Sequence, residues 1–175
     1  LPIHEFAHAF AADKLGDPTP RWNRRLTLNP KNHLDIFGTI MLILCGFGYA
    51  KPVPVNPANF KNPKRDLAIT ALCGPLSNIL MAIISVAIFR LIVFITGSPF
   101  NISGGYISCE LNLVFYAYII LIEVFASINL SLAVFNLLPI FPLDGAKIFA
   151  PIIPDKWIWK IEQYSNIITM ILFVL

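Results

Sequence analysis

The residues whose types and spacing could do chemistry stand almost at the start of the chain: His4-Glu5-Phe6-Ala7-His8. On a helix, positions i and i+4 lie one above the other on the same face, so His4 and His8 point together. Two imidazoles so placed can take two corners of a tetrahedral zinc site, one ion per chain. The glutamate between them can then serve as general base to the attacking water. Two histidines on an apolar helix can also merely satisfy each other or a backbone carbonyl, and a bare H-E-x-x-H does not separate these readings. What separates them lies far downstream, at Asn136-Leu137-Leu138-Pro139-Ile140-Phe141-Pro142-Leu143-Asp144-Gly145.

The elements that must position these residues belong in lipid. The chain is 57% hydrophobic and only 13% charged, about half the ~25% usual in soluble domains. Several runs approach or exceed the ~20 apolar residues needed to cross a bilayer. An all-α integral membrane protein is expected, a polytopic helical bundle in the lipid bilayer. A large water-soluble domain is excluded. The net charge of +3 is small, and no nucleic-acid partner is expected. Cys45, Cys73 and Cys109 lack C-x-x-C spacing and read as small buried hydrophobes. The sequence opens on Leu1-Pro2 and stops inside the apolar run 167–175, so a single membrane-embedded domain, 1–175, cut at both ends, is the expectation.

Residues 1–15 read as the C-terminal part of a membrane helix, stopped by Gly16-Asp17-Pro18. His4 lies roughly 18 Å from that stop at 1.5 Å per residue, inside the bilayer but nearer the surface that carries Lys14. Residues 17–35 are polar and basic and read as a solvated surface loop, with His33 an exposed loop histidine. Segment 36–57 reads as a short re-entrant piece followed by an extended loop, because 36–50 is too short to span and Lys51-Pro52-Val53-Pro54-Val55-Asn56-Pro57 has too many prolines for a helix. Spans are expected at 67–96 and 111–135, the latter leading into the motif 136–145, with the last span beginning at 157–175. In the first of them, Gly74-Pro75-Leu76-Ser77-Asn78 reads as a helix-packing motif. Glu123 should face protein or water, and Arg90 should snorkel or pair with another helix. Residues 97–110 read as a Gly/Ser/Asn loop free of lysine and arginine. Basic loops at 14–35, 51–66 and 147–160 then place those segments in the cytoplasm.

A third zinc ligand is needed. A metzincin would carry H-E-x-x-H-x-x-G-x-x-H, but those later positions are Ala11 and Lys14. A gluzincin uses a downstream glutamate, and none lies between Glu5 and Glu110. Among the remaining carboxylates Asp144 is best placed, at a proline-interrupted membrane segment on the expected side of the bilayer.

His4-Glu5-x-x-His8 together with Asn136-x-x-Pro139-x-x-Pro142-Leu143-Asp144-Gly145 resembles the site-2 protease family of intramembrane zinc metalloproteases. Leu15-Gly16-Asp17-Pro18, Leu26-Thr27-Leu28-Asn29-Pro30, the Lys51 to Pro57 stretch and Gly74 to Asn78 resemble its compact prokaryotic branch. The resemblance implies His4, His8 and Asp144 as zinc ligands and Glu5 as general base. It also implies Asn136 as the residue that steadies the substrate carbonyl or oxyanion, a role within the reach of a side-chain amide. A helix cap before the prolines is the plainer role for Asn136. The implied activity is hydrolysis of peptide bonds in or near transmembrane segments of membrane proteins, in regulated intramembrane proteolysis, at the bacterial cytoplasmic membrane with the site nearer the cytoplasm. Its partner is a membrane-protein substrate with a transmembrane helix, and a homo-oligomer is compatible with the sequence. Val53, Pro54, Val55 and Asn56 are expected to offer the unwound substrate an edge strand. The rival is a non-catalytic membrane zinc protein (transporter, sensor or inactive relative), in which Glu5 would be dispensable.

Overall fold

The computed structural model of the chain describes residues 1–45, 51–96, 100–103, 106–109, 113–154 and 163–164. Positions 46–50, which end the expected re-entrant piece, and most of the expected last span lie outside these. In chain order the helices are α1 (Pro2–Leu15), α2 (Thr19–Trp22), α3 (Ile36–Cys45), α4 (Pro63–Thr96), α5 (Leu113–Asn136) and α6 (Asp144–Phe149). Single 3-10 turns at Pro30–Asn32 and Pro57–Asn59 join them.

Local chemistry explains the boundaries. Pro2 sits in the first turn of α1, where a missing N–H costs nothing. Gly16 closes α1 in the left-handed region at φ 111°, its N–H turned onto Ala12 and Asp13. α4 starts at Pro63, ahead of the apolar run, because the Asp66 carboxylate reaches back to the Asn62 N–H at 3.0 Å. Within α4 and α5, Pro63–Ile95 and Ala117–Asn136 are long and apolar enough to cross a membrane. Only 17% and 11% of their most apolar windows are buried. A core helix of a soluble protein would hide most of that surface, so these helices read as facing lipid.

The fold is not purely helical. Phe100–Ser103 (β1) and Tyr106–Cys109 (β2) pair antiparallel, with Phe100 opposite Cys109 and Ser103 opposite Tyr106, where the composition reads as a loop. Ile102, Tyr106 and Ile107 around Gly104-Gly105 are a hairpin signal that a count of Gly, Ser and Asn hides.

The chain divides into two compact units, Leu1–Ser77 with Ala133–Leu175, and Asn78–Leu132. The first has an interior of small residues, with Ala9, Ala12 and Ala133 fully buried and Ala71 and Ala146 nearly so; small side chains let membrane helices approach closely. The second buries Ala82, Ser85 and Asn129, and leaves Arg90 and Glu123 exposed. The Ser85 hydroxyl and the Asn129 amide donate to carbonyls of their own helices.

The segment 17–35 is largely exposed, as expected of a surface loop, but it departs from that reading at four residues. Asp17, Pro20, Arg25 and His33 are buried. His33 is 1% exposed and its Nε2 lies 2.7 Å from the Thr27 carbonyl, so it stitches the loop together. Its backbone carbonyl accepts the Lys51 N–H at 2.8 Å. Asp17 is the hub. Its carboxylate accepts from the Thr19 N–H and hydroxyl, from the Asn59 amide at 2.6 Å and from the Asn56 N–H at 2.7 Å. The 56–59 turn is thereby pinned to the C-terminal end of α1.

Burial pushes the Asp17 carboxyl up, but hydrogen bonds from Thr19, Asn59 and Asn56 outweigh it and hold the group below its usual range. A folded-state pKa below the unfolded one stabilises the fold above the unfolded value, near 4, and that share vanishes as pH falls through the folded value. The Tm of wild type should therefore exceed that of Asp17→Asn at neutral pH, and the gap should narrow below about pH 4. A gap that stayed constant down to pH 2 would mean the carboxylate charge plays no part.

Candidate metal centre

α1 puts His4 and His8 one turn apart on its buried face, at 5% and 8% exposure. Their rings meet edge to face, with centroids 4.6 Å apart. α6 begins at Asp144, itself 8% exposed, after the segment between α5 and α6 has folded back through a cis Phe141–Pro142 peptide. Gly145 makes that return possible, since a Cβ there would overlap the carbonyl oxygens of Leu137 and Leu138.

The three side chains converge across 136 to 140 positions of chain. His4 Nε2 and His8 Nε2 are 3.0 Å from each other, and each is 3.1 Å from the same oxygen, Oδ2 of Asp144. The opposite nitrogen of His8, Nδ1, lies 2.8 Å from the Thr70 carbonyl. A carbonyl can only accept, so Nδ1 carries the proton and a neutral His8 turns a bare lone pair on Nε2 toward its two neighbours. Acceptors packed at such distances repel; a proton can bridge one pair of them, but a cation satisfies all three. A tetrahedral zinc with bonds of about 2.0–2.1 Å separates its ligand atoms by roughly 3.3 Å. The observed spacings fall within about 0.3 Å of that edge, and two imidazoles with a monodentate carboxylate are a donor set zinc accepts. These residues fit the ion. Among the described residues this is the one cluster of three or more His, Cys, Asp or Glu side chains so arranged.

α4 supplies the support. Gly74 packs against both imidazoles: a Cβ there would overlap Cε1 and Nε2 of His8 and stand 2.7 Å from Cε1 of His4. Gly74 also follows Thr70 by one helical turn, so no side chain at 74 screens the Thr70 carbonyl from His8. One glycine thus makes room for the rings and exposes the acceptor that fixes the His8 tautomer. The motif 74–78, legible in sequence only as packing, has this sharper purpose. Thr70 has no sequence signal at all, because the group it contributes is backbone. Gly74→Ala should weaken zinc affinity about 10- to 100-fold, the usual cost of disturbing a ligand's outer partner, with helical content unchanged by circular dichroism. Zinc affinity equal to wild type would show that the rings can move aside freely.

Glu5 sits in the first turn of α1 between the histidines and is half-buried. Asn136 is the last residue of α5 and is half-buried too. Val53, Pro54 and Val55 are half-buried and carry no regular secondary structure, while Asn56 is exposed and extended at φ −106°, ψ 102°. The Asn56 amide oxygen accepts the Ala58 N–H, and its own N–H is taken by Asp17.

Set against known proteins, residues 1–175 match the family model of peptidase family M50. The chain is 39% identical over 175 residues to the protein named "Putative zinc metalloprotease YwhC" of Bacillus subtilis (strain 168), an alignment covering 98% of this chain and 75% of the relative. No solved structure matches the chain significantly.

Proposed function

From the premise that the chain belongs to peptidase family M50, the site-2 protease family, we propose that it is an intramembrane zinc metalloendopeptidase. Its substrate is a membrane protein, cleaved in or near a transmembrane helix during regulated intramembrane proteolysis at a bacterial cytoplasmic membrane. The observation that carries the reading is the convergence of His4, His8 and Asp144 within 3.1 Å, with Glu5 on the same turn of α1 as His4.

His4, His8 and Asp144 would hold one zinc ion per chain, which when bound would supply Lewis acidity and lower the pKa of a water from ~16 towards ~7. Glu5 takes the proton as the water oxygen bonds to the scissile carbonyl carbon. It then delivers that proton to the amine nitrogen as the C–N bond breaks. Asn136 donates its amide N–H to the carbonyl oxygen where negative charge develops. His8, its tautomer set by Thr70, keeps its lone pair toward the ion.

A helical substrate hides its carbonyls in i to i−4 hydrogen bonds and must open before attack. Val53 to Asn56 forms the receiving edge strand. Pro52 and Pro54 cannot donate, and the Asn56 N–H is committed to Asp17, so pairing relies on the Val53 and Val55 backbone groups. The described part of the re-entrant piece, 36–45, and the prolines near Asp144 line the water path, and the basic loops 14–35 and 51–66 lie on the cytoplasmic side.

Cleavage of a single-span substrate in proteoliposomes, with the product ends mapped by mass spectrometry, tests this. The cut should fall within or just beside the span. Chelation should stop it, and zinc should restore it. Cleavage confined to soluble peptides would place the activity outside the membrane. Metal binding with no cleavage of any substrate would favour the transporter or sensor.

A further inference from the structure

A second feature lies in the same unit, lined by none of His4, His8 and Asp144. Between α2, the 3-10 turn at Pro30–Asn32 and the backbone at Lys51 there is a recess of about 310 Å³. Arg24, Arg25, Lys31 and Lys51 line it, with the carboxamide residues Asn23 and Asn32 and with Leu34. No carboxylate does. Arg25 is only 6% exposed. Its Nη1 donates to the Asn32 carbonyl and lies 3.4 Å from that of Lys51, and among the described residues no acid pairs with it. A charge taken out of water without a counter-ion is costly, and a guanidinium binds phosphate oxygens in fork geometry. The backbone is shaped to this end: Arg24 takes the left-handed region at φ 55°, and its carbonyl is held by the Asn32 amide at 3.0 Å. Non-glycine residues seldom sit there, and here two consecutive arginines are turned so that one is buried and one stands at the rim.

The recess shares Lys31 and Leu34 with a neighbouring one of about 360 Å³, whose lining is mostly apolar and includes Ile40 and Thr39. The carboxylate there, Asp35, is engaged by the Gly38 N–H at the start of α3. Trp22 (73%) and Leu28 (58%), in the same 17–35 segment, are exposed, side chains suited to the headgroup level of a bilayer. A cationic recess that shares Lys31 and Leu34 with a mostly apolar one has the chemistry of an amphiphile's two ends.

We infer that this is a site for an anionic phospholipid. Its phosphate lies among Arg24, Arg25, Lys31 and Lys51, and one acyl chain runs along Leu34 and Ile40. The lipid neutralises the buried Arg25 and joins the 17–35 segment to the backbone at Lys51, two residues before the proposed substrate strand.

Native mass spectrometry and thermal melts of the full-length protein in nonionic detergent test it, with phosphatidylglycerol, phosphatidylcholine or inorganic phosphate added. Phosphatidylglycerol should be retained and should raise Tm, and phosphatidylcholine should do neither. Arg25→Gln also removes a buried hydrogen bond that holds the loop, so the exposed positions decide. Each of Lys31→Gln and Lys51→Gln should weaken phosphatidylglycerol retention roughly fivefold, with circular dichroism unchanged. Leu34→Ser should weaken it as well. Equal retention of the two lipids, or lysine variants that bind as wild type does, would overturn the site. Inorganic phosphate giving the same rise in Tm, with Leu34→Ser without effect, would overturn the lipid in favour of a free anion.

Discussion

Glu5→Gln should keep its zinc and lose peptide-bond cleavage by roughly 10²- to 10⁴-fold, the range for removing a positioned general acid–base. That corresponds to about 3 to 5 kcal/mol of transition-state stabilisation. Glutamine matches glutamate in length and helix propensity, and Glu5 stands outside the group of His4, His8 and Asp144. Neither α1 nor the ligand geometry has reason to change. What disappears is the group that takes a proton from water and hands it to the leaving amine. The measurement is single-turnover cleavage of a membrane-helix substrate in proteoliposomes, with zinc assayed on the same preparation. Retained zinc with abolished cleavage identifies Glu5 as the base. Cleavage within a few-fold of wild type would remove Glu5 from the chemistry, and the protease mechanism given above with it.

Asp144→Asn should produce the opposite pattern, with zinc lost first and cleavage lost because of it. One oxygen of Asp144 stands 3.1 Å from both ligand nitrogens, so the substitution removes the anionic corner of the site while leaving its shape. An amide oxygen is a weaker donor than a carboxylate, and an amide turned the other way presents N–H groups to a cation. The loss of affinity should exceed the 10- to 100-fold expected when only an outer partner such as the Gly74–Thr70 pair is disturbed. Equilibrium dialysis against a zinc buffer reads it directly. The two variants together separate metal retention from proton transfer. If Asp144→Asn held zinc as tightly as wild type, the third ligand would be another residue.

How much of this was legible beforehand follows from the range over which each signal acts. The H-E-x-x-H spacing, the stop at Gly16, the prolines that forbid helix at 51–57 and the apolar length of α4 and α5 are local properties. A few neighbouring residues decide them through helix periodicity, missing N–H groups and transfer to lipid. They are enough to expect a zinc-binding membrane helix and, with the downstream motif, the family. The exposed reading of His33 was wrong, and the solvated reading of 17–35 failed at Asp17, Pro20 and Arg25, for a reason of the same kind. Polarity says where a residue prefers to be when alone, whereas Asp17 is buried because N–H groups, a hydroxyl and a side-chain amide satisfy its carboxylate. His33 and Arg25 are drawn in by the backbone carbonyls of Thr27, Asn32 and Lys51. The ribbon at 100–109 was missed because pairing between strands is not a property of composition.

By itself, then, the sequence determined which residues have the chemistry of metal ligands and which segments are apolar enough to cross a membrane, since charge, periodicity and proline content are written residue by residue. Only the tertiary structure decided that Asp144 meets His4 and His8 through one oxygen, and that Thr70 orients His8 through its backbone. It alone shows Gly74 as the empty space in which the rings lie, and Asp17 as the pin between α1 and the 56–59 turn. Those facts depend on groups brought together across 39 to 140 positions of chain, some of them backbone atoms common to every residue. No local preference encodes such meetings. They exist when packed helices leave a glycine-sized gap and a carbonyl facing the right way.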